Sequence, residues 1–487
     1  MRKRLLQHSF CIILGLYAPV VANSHSVSTP ESGLQESPAV IAKVDPRVEL
    51  MSIIARLAGF QEYVRNDFKL YADDVDKHFG KHKQHPAVQF AVKIRQSNGV
   101  SFDAVMFMAV HLNPPPALTP LVAFTDTTPE RRWGREPAEE FVKLLQQFYK
   151  DADCEGFFKA HADLYRVAEE RFQQLLNKVD FAWYKRFYGE APEGVFNLRL
   201  GLLNGGGNYG PKVVYPDGKE DLYAIVGTWR TDSAGLPVYD AETLPTIIHE
   251  FNHSFVNHLV SARWSQFNAA GSKVYQSVAD RMRNMAYGAP LTAIQESLVR
   301  AAALRYAFEH NAESRATESE MEREIHSGFI WMDELFALLG VYENSRSSFP
   351  TFRSFLPMIE GYYSDLAKRI EFKAAKFDEL KPRVAAMAPF NNEAQDVDPG
   401  ITQMTITFDK PMNVKGYSYS AGQAGEEHFP IEKALGFNEA GTAITLQLNL
   451  KSDWEYEFVV TGRSFRSKDG YSLRPYTVKF KTKKAVN

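Results

Sequence analysis

The stretch Thr243-Leu-Pro-Thr-Ile-Ile-His-Glu-Phe-Asn-His-Ser-Phe-Val-Asn257 contains the pattern H-E-x-x-H, which runs from His249 to His253. Residues four apart lie on the same face of an α-helix, so the imidazoles of His249 and His253 can reach a single metal ion. Zinc suits such a pair, because it binds imidazole and lowers the pKa of its bound water towards neutrality. Glu250 is placed to take a proton from that water. The stretch therefore predicts a zinc site with two histidine ligands and Glu250 as general base.

Helix signals surround this pattern. Thr243 or Asp240 can cap the start of the helix, and Pro245 falls in its first turn. Apolar residues recur at helical spacing on both sides of the pattern: Ile247, Ile248, Phe251, Phe255 and Leu259. We therefore expect a largely buried helix at the floor of a cleft. The alternative is a helix whose histidines only pack or bind carbonyl groups.

A third ligand must come from elsewhere in the chain. An extended metzincin motif needs glycine at 256 and histidine at 259, where this chain has Val256 and Leu259. His258 is five residues past His253, so it points away from the ligand face. A catalytic zinc ion usually takes three protein ligands, and two histidines with a glutamate are a known set.

Glu296 is the best candidate for this third ligand. It lies in a second amphipathic helix that opens near Pro290. The alternative reading of Glu296 is an ordinary helix carboxylate paired with Arg300 at the i,i+4 spacing. Glu309 is then the next candidate ligand.

Residues 195–305 resemble the gluzincin-type zinc metallopeptidases, which carry H-E-x-x-H on one helix and a glutamate ligand on a later one. The neighbours of Glu296 differ from the thermolysin pattern, since Gln295 precedes it and Arg300 follows four residues later. The surroundings look more like an uncharacterised family of secreted bacterial H-E-x-x-H proteins. The resemblance implies a zinc metallopeptidase that acts on a peptide or protein substrate, with Glu250 passing its proton to the leaving amine.

Two further residues are candidates for supporting roles. Hydrolysis builds negative charge on the scissile oxygen, and Tyr287, beside the flexible Gly288, is our candidate donor to it. A purely packing role stays open, because the chain has 22 tyrosines. Asn257, four residues beyond His253, is a candidate partner for that imidazole.

Two strands are expected before the H-E-x-x-H helix, at 195–203 and 222–229. The glycine-rich segment Asn204-Gly-Gly-Gly-Asn-Tyr-Gly210 lies between them. It lacks the lysine and the following helix of a phosphate-binding loop. In peptidases of the resembled type, a strand just before the active-site helix lies along the substrate, and either strand here could do so. For the glycines themselves, a tight hairpin turn is the alternative.

Two other groups of reactive residues are present but carry no functional prediction. His78, His82 and His85 lack a glutamate-base context, and Gly80 and Pro86 indicate a loop, so solvated histidines are favoured over a metal site. Cys154 is the one cysteine left after removal of the leader, and we interpret it as incidental rather than as a catalytic thiol.

The start of the chain predicts export. Met1-Arg-Lys-Arg-Leu5 is cationic, and the short apolar run that follows ends in small residues, so residues 1–22 read as a signal peptide cleaved near Ala22. The alternative is an uncleaved membrane anchor. Residues 23–44 are rich in serine, proline and glutamate and predict a disordered linker. No later segment is apolar enough to cross a bilayer, and a secreted or periplasmic protein is expected.

Composition and length set the domain count. A chain of 487 residues is too long for one typical core, so we expect more than one domain. The net charge of −3 provides no basic field for nucleic acid. Residues 381–487 resemble bacterial Ig-like domains, with short alternating strands and regular turns. That resemblance implies an accessory module with cell-surface or glycan contact.

The predicted fold class is α+β: a mainly helical zincin-like catalytic domain with a small β-sheet over residues 45–380, followed by an Ig-like β-sandwich. The predicted function is zinc-dependent peptide hydrolysis outside the cytoplasm. Two alternatives come from other classes: a zinc hydrolase of cell-wall peptide amides, and a non-catalytic binding protein that retains a relic zinc site.

Overall fold

The structure is a computed structural model that describes residues 40–192, 194–285, 287–310 and 314–484. The predicted signal peptide, and the predicted linker up to residue 39, lie outside the described residues. Residues Ala42–Val44, which the sequence assigned to the linker, form a strand. The backbone amides of Ala42 and Val44 are held by the side chains of Gln173 and Glu169.

Helices make up most of the chain up to residue 379. In chain order, α1 to α16 are Pro46–Leu57, Gln61–Val64, Lys69–Phe79, Pro86–Asn98, Asp103–Val110, Arg135–Asp151, Cys154–Ala160, Ala162–Leu176, Phe181–Tyr188, Leu244–Ala262, Trp264–Gln276, Ala279–Asn284, Pro290–His310, Ser314–Ser327, Met332–Asn344 and Phe352–Glu379. The strands β1 to β11 are Ala42–Val44, Val195–Gly201, Lys212–Val214, Glu220–Gly227, Val384–Ala388, Gln403–Phe408, Tyr419–Ala421, Ile431–Phe437, Ala443–Leu448, Glu455–Val460 and Tyr476–Lys481.

A four-stranded sheet with the order β1-β2-β4-β3 lies within the helical part. Strands β1, β2 and β4 run parallel, and β3 pairs antiparallel to β4 at the edge. Residues 223–227 of β4 are all buried, as expected for an apolar run covered on both faces. Tyr209 extends the edge beyond β3, because its backbone exchanges two hydrogen bonds with Ile225, of 2.9 and 2.8 Å.

The helix α10 lies at the junction of two hydrophobic cores. Its Ile247 belongs to a core built by the early helices and the sheet, whereas Phe255 and Leu259 belong to a core built by α9 and the later helices. Two tyrosines of α9 hold it in place. The ring of Tyr188 stacks on Phe255 with centroids 4.3 Å apart, and Tyr184 donates a hydrogen bond to the carbonyl oxygen of Ile248 at 3.2 Å.

The start of α10 differs in detail from the predicted caps. Asp240 caps the short 3-10 turn Ala241–Thr243, where its side chain accepts from the amide of Glu242. Thr243 makes no side-chain capping bond to α10, and Pro245 lies in the first turn as predicted. The chain therefore enters α10 through a capped 3-10 turn.

The last hundred residues form antiparallel strands in two sheets, with the orders β5-β6-β9-β8 and β11-β10-β7. Their shared core is apolar and includes Ile406, Ile444, Phe458 and Val478. The predicted α+β fold class is thus confirmed: a mostly helical region with a small sheet, and then an all-antiparallel β region.

The β region contacts the helical part through the end of α16. The Asp378 carboxylate lies 2.7 Å from Arg474 of the β region and 2.7 Å from Lys381. The ring of Tyr471 also packs against His326 at the end of α14, with ring centroids 4.5 Å apart. Among the described helices, none has the length and apolar character that a membrane span requires.

Two helical glycines test the packing that positions α13. A side chain at Gly271 of α11 would lie 3.2 Å from Cγ1 of Ile294, two residues before Glu296. Gly361 of α16 is exposed, and a side chain there would meet nothing within 4 Å. We expect Gly271→Val to lower the free energy of unfolding by about 1–3 kcal/mol through overpacking. Gly361→Ala should raise it by about 0.5–1 kcal/mol, since alanine loses less backbone entropy in a helix. Urea denaturation measures the free energy of unfolding of both variants. The same change in stability for Gly271→Val and Gly361→Ala would contradict this packing.

Candidate metal centre

The helices α10 and α13 bring the three predicted ligands together. Nε2 of His249 and Nε2 of His253 lie 3.2 Å apart on adjacent turns of α10. The carboxylate of Glu296 faces both, with Oε2 at 3.5 Å from Nε2 of His249 and Oε1 at 3.4 Å from Nε2 of His253. Within the part of the chain that the structure describes, this is the one group of histidine, cysteine and acidic side chains spaced to hold a metal ion.

The spacing of these atoms fits a tetrahedral zinc ion. Zinc binds nitrogen and oxygen ligands at about 2.0–2.1 Å, which places two ligands of a tetrahedron roughly 3.3–3.4 Å apart. The separations of 3.2, 3.4 and 3.5 Å are close to that edge length, with each carboxylate oxygen facing one of the two imidazoles. In addition, Oε2 of Glu296 is buried and has no hydrogen-bond partner among the described residues. A buried carboxylate oxygen is costly without a partner, and a cation would supply one.

Both imidazoles are prepared to act as ligands. Burial, the neighbouring His253 and the charge of Arg300 hold the pKa of His249 well below its ordinary value, so this imidazole is neutral near pH 7. Nδ1 of His253 lies 3.1 Å from Oδ1 of Asn257. An N–H at Nδ1 donating to that oxygen leaves the lone pair of Nε2 facing the cluster. The structure therefore places Asn257 where the sequence predicted a partner for His253.

Glu250 lies beside the cluster in a confined site. Burial is the main cause that raises the pKa of its carboxyl group, and the charge of Glu296 adds to it. The backbone of Gly210 approaches closely, since a side chain there would lie 3.1 Å from Oε2 of Glu250. Glycine thus lets the extended segment before β3 run next to this carboxylate.

Tyr287 and Arg300 form a second layer around Glu296. Arg300 donates through Nη2 to the hydroxyl oxygen of Tyr287 at 2.7 Å and through Nη1 to Oε2 of Glu324 at 2.7 Å. Its Nε lies 3.4 Å from Oε2 of Glu296. The alternative reading of Glu296, as a partner of Arg300, therefore holds together with the ligand reading, because the carboxylate faces the imidazoles and the guanidinium at once.

A cleft of about 890 Å³ opens over this group. Its walls come from the start of α10, the second half of α13, the helix α14 and the loop before β3, and the lining includes Asn208, Leu244, Ile248, Ala303, Ala307 and Glu320. His249, Glu250, Tyr287 and Arg300 line it as well. The size lies within the usual range for sites that bind small or extended ligands.

The other candidates lie outside this group. Glu309 accepts a 2.8 Å hydrogen bond from the indole of Trp183, which removes it as the third ligand, and His258 is not among the clustered residues. The run at 204–207 forms the tight turn before the edge strand. A side chain at Gly227 would collide with the carbonyl oxygens of Gly205 and Gly207 there.

The remaining histidines and Cys154 have ordinary structural environments. The expectation of solvated histidines is wrong, because His78, His82 and His85 are half-buried against aromatic rings. Cys154 is buried, and burial raises the pKa of its thiol, which disfavours a reactive thiolate.

Sequence reasoning missed Glu324. It lies 28 residues after Glu296 on a different helix, and no local pattern links the two. Asn208 and Gly210 were noted only as part of a glycine-rich segment, whereas the structure places both at the cleft.

Comparison with known proteins identifies the family. A protein-family model described as "Domain of unknown function (DUF4932)" matches residues 40–360. This is more than half of the chain and includes the whole candidate centre. This chain belongs to the DUF4932 family. The match ends before the C-terminal β region of this DUF4932 protein, and no curated protein matches the chain.

Among solved structures, two structures of S-layer proteins are similar to the DUF4932 chain. One is described as "Structure of surface layer protein SbsC, domains 1-6", at 13% identity, with 50% of this chain and 34% of that chain covered and a TM-score of 0.17. The other is the S-layer protein rSbsC(31-844), at 15% identity, with 71% and 42% covered and a TM-score of 0.17. The chain thus spans less than half of either structure.

Metal analysis by mass spectrometry tests the centre directly. We expect about one zinc ion per wild-type chain after zinc addition and dialysis, and its loss in both His249→Ala and Glu296→Ala, since each removes one of three ligands. Glu309→Ala is the matched control, because it removes a glutamate of the same helix that binds Trp183 instead. Undiminished zinc in Glu296→Ala would contradict the assignment of the third ligand.

Proposed function

We propose that this DUF4932 protein is a zinc metallopeptidase that hydrolyses peptide bonds. The observation that carries the proposal is the convergence of His249, His253 and Glu296 beside Glu250, together with a cleft of about 890 Å³ that His249 and Glu250 line. Two imidazoles and one carboxylate form a donor set that suits zinc in an open catalytic site. Bound there, zinc would supply Lewis acidity, which activates water and polarises a carbonyl group near neutral pH.

Glu250 is the proton carrier in this proposal. Its carboxylate takes a proton from the attacking water and later delivers it to the nitrogen of the leaving amine. Burial raises the pKa of this carboxyl group, so it holds the proton between the two steps more readily than an exposed glutamate does. The open cleft beside it leaves room for a peptide bond.

Tyr287 stabilises the oxygen on which negative charge develops. A phenol has one proton to donate and two lone pairs, and Arg300 already donates to its oxygen at 2.7 Å. The side chain of Tyr287 lines the cleft, where its proton can turn from the neighbouring Glu296 carboxylate to a substrate oxygen. Burial and the charge of Glu296 raise the pKa of Tyr287, which keeps it protonated as a donor.

The edge of the sheet supports an extended peptide as substrate. Strand β3 and the segment at Tyr209 form that edge, and Gly210 lies next to Glu250. A peptide that pairs with this edge would bring its backbone past the general base, and backbone pairing requires no particular side chain. Asn208 lines the same cleft.

The setting that we propose is outside the cytoplasm, as the leader sequence predicts, with the signal cleaved near Ala22. The C-terminal β region would act as an accessory module for cell-surface or glycan contact. A substrate panel of unfolded protein, short peptides and peptidoglycan separates general peptide hydrolysis from cleavage of cell-wall amides. Retention of zinc without turnover of any of these would favour a binding protein.

Glu250→Gln tests the general base. We expect this variant to keep its zinc and to lose activity by about 100- to 10,000-fold, because the amide cannot accept the proton. Glu242→Gln is the control, since this exposed glutamate lies just before the same helix and pairs with Arg230. Peptidase activity and zinc content are measured for both variants. Wild-type turnover by Glu250→Gln would refute the role of Glu250 as general base.

Tyr287→Phe tests the oxyanion donor separately. Loss of one such donor lowers kcat by about 100- to 1,000-fold while KM changes little, because the interaction forms only in the transition state. Zinc content should stay at the wild-type value, since Tyr287 is not one of the three clustered ligands. A kcat equal to that of the wild type would leave Tyr287 a packing residue.

A further inference from the structure

Arg300 has an unusual position for a cation. It follows Glu296 by one helical turn on α13, and its side chain, 18% exposed, contacts two carboxylates and a tyrosine. The guanidinium carbon lies 4.9 Å from the ring centre of Phe329 and 5.7 Å from that of Tyr287. Each of its three nitrogens faces a different oxygen, on Tyr287, Glu324 and Glu296.

We propose that Arg300, anchored by Glu324, is a positioning residue that orients both the Tyr287 hydroxyl and the Glu296 carboxylate. The inference rests on the proposed function and deepens it, because Arg300 acts through these two groups and contacts no reacting atom itself. It also assigns a role to Glu324 on α14.

The geometry of the guanidinium supports this role. Its donors lie in one rigid plane, so the two 2.7 Å hydrogen bonds to Tyr287 and Glu324 fix where Nε points. Nε then faces Oε2 of Glu296 at 3.4 Å. Lysine, with one nitrogen on a flexible chain, cannot hold three groups in this arrangement.

The charges around Arg300 explain the role of Glu324. Burial opposes the charge of Arg300, but the carboxylates of Glu324 and Glu296 outweigh it and raise the pKa of the guanidinium. Two carboxylates share this one cation, and Glu324 takes the shorter contact, at 2.7 Å against 3.4 Å. Without Glu324, Arg300 would turn towards Glu296 and compete with a metal ion for its charge.

The contact between Arg300 and Glu324 also connects helix α14, one wall of the cleft, to the candidate metal centre. Helix α14 places Glu320, Arg323 and Glu324 along the cleft. The hydrogen bond from Arg300 to Glu324 joins this helix to α13 next to the ligand Glu296. The same hydrogen bond therefore fixes the position of α14 and helps to orient Glu296.

A structural ion pair on the same helix provides a matched control. Arg305, five residues after Arg300, pairs with Glu343 of α15. That pair also joins α13 to a neighbouring helix, and neither residue lines the cleft. Glu343→Gln therefore removes a comparable inter-helix contact without touching the centre.

The experiment compares Arg300→Lys, Glu324→Gln and Glu343→Gln in the full chain. Zinc affinity is measured by competition with a chelator, and the visible spectrum of the cobalt-substituted protein reports the ligand geometry. We expect the first two variants to lower kcat by about 10- to 100-fold, as removal of outer partners of a metal site typically does, with KM within about twofold. Their zinc affinity or cobalt spectrum should change, whereas Glu343→Gln should match the wild type in every readout.

The double variant Arg300→Lys/Tyr287→Phe tests whether Arg300 acts through Tyr287. If it does, the kcat loss of the double variant should be smaller than the product of the two single losses, because the loss through Tyr287 is counted in both. The part of the Arg300→Lys loss that acts through Glu296 should remain. Losses that multiply fully would overturn the positioning of Tyr287 by Arg300, and values for Arg300→Lys and Glu324→Gln that match Glu343→Gln would overturn the whole positioning role.

Failure of the proposed function has a different signature. A wild type that binds zinc but hydrolyses no peptide overturns the peptidase assignment. In that case the cobalt spectra of Glu324→Gln and Glu343→Gln still decide whether Arg300 orients Glu296. A wild type that takes up no metal overturns both.

Discussion

The packing of α10 against α13 is the constraint on which the rest of the site depends. It sets a buried carboxylate opposite two imidazoles, with all three separations between 3.2 and 3.5 Å. Arg300 compensates part of the charge of this carboxylate, but it is shared with Glu324. A cation held between the helices would complete the compensation. The aromatic rings of α9 and the close contact of α11 at Gly271 hold both helices in that relation.

The second layer of the site uses the same two helices. Asn257 lies one turn after His253, and Arg300 lies one turn after Glu296, so two of the three candidate ligands have a polar partner at the spacing that a helix provides. Gln295, next to Glu296, donates 3.0 Å hydrogen bonds to the carbonyl oxygen of Asn257 and to Ser261. This side chain joins α13 to α10 directly beside the candidate ligands, so the helices that carry the ligands also orient them.

The sheet forms the side of the site that lies next to Glu250. The run of glycines at 205–207 turns the chain back against β4, and Tyr209 and Gly210 then follow the edge beside Glu250. The close backbone approach here requires glycine at 227, where a side chain would collide with the carbonyl oxygens of Gly205 and Gly207. The early helices and the C-terminal β region lie around this arrangement, and the β region contacts α14 through Tyr471 and His326.

The sequence by itself determined the features that depend on local periodicity. His249, His253 and Glu250 follow from the four-residue repeat of one helix, Asn257 from the next turn, and the α+β class from the change of pattern after residue 380. Only the tertiary structure decided between Glu296 and Glu309, which lie on the same helix and differ in what packs against them. It also placed Glu324 on Arg300 and Gly210 beside Glu250. Contacts between separate elements depend on how those elements pack, and periodicity within one segment carries no information about its neighbour in space.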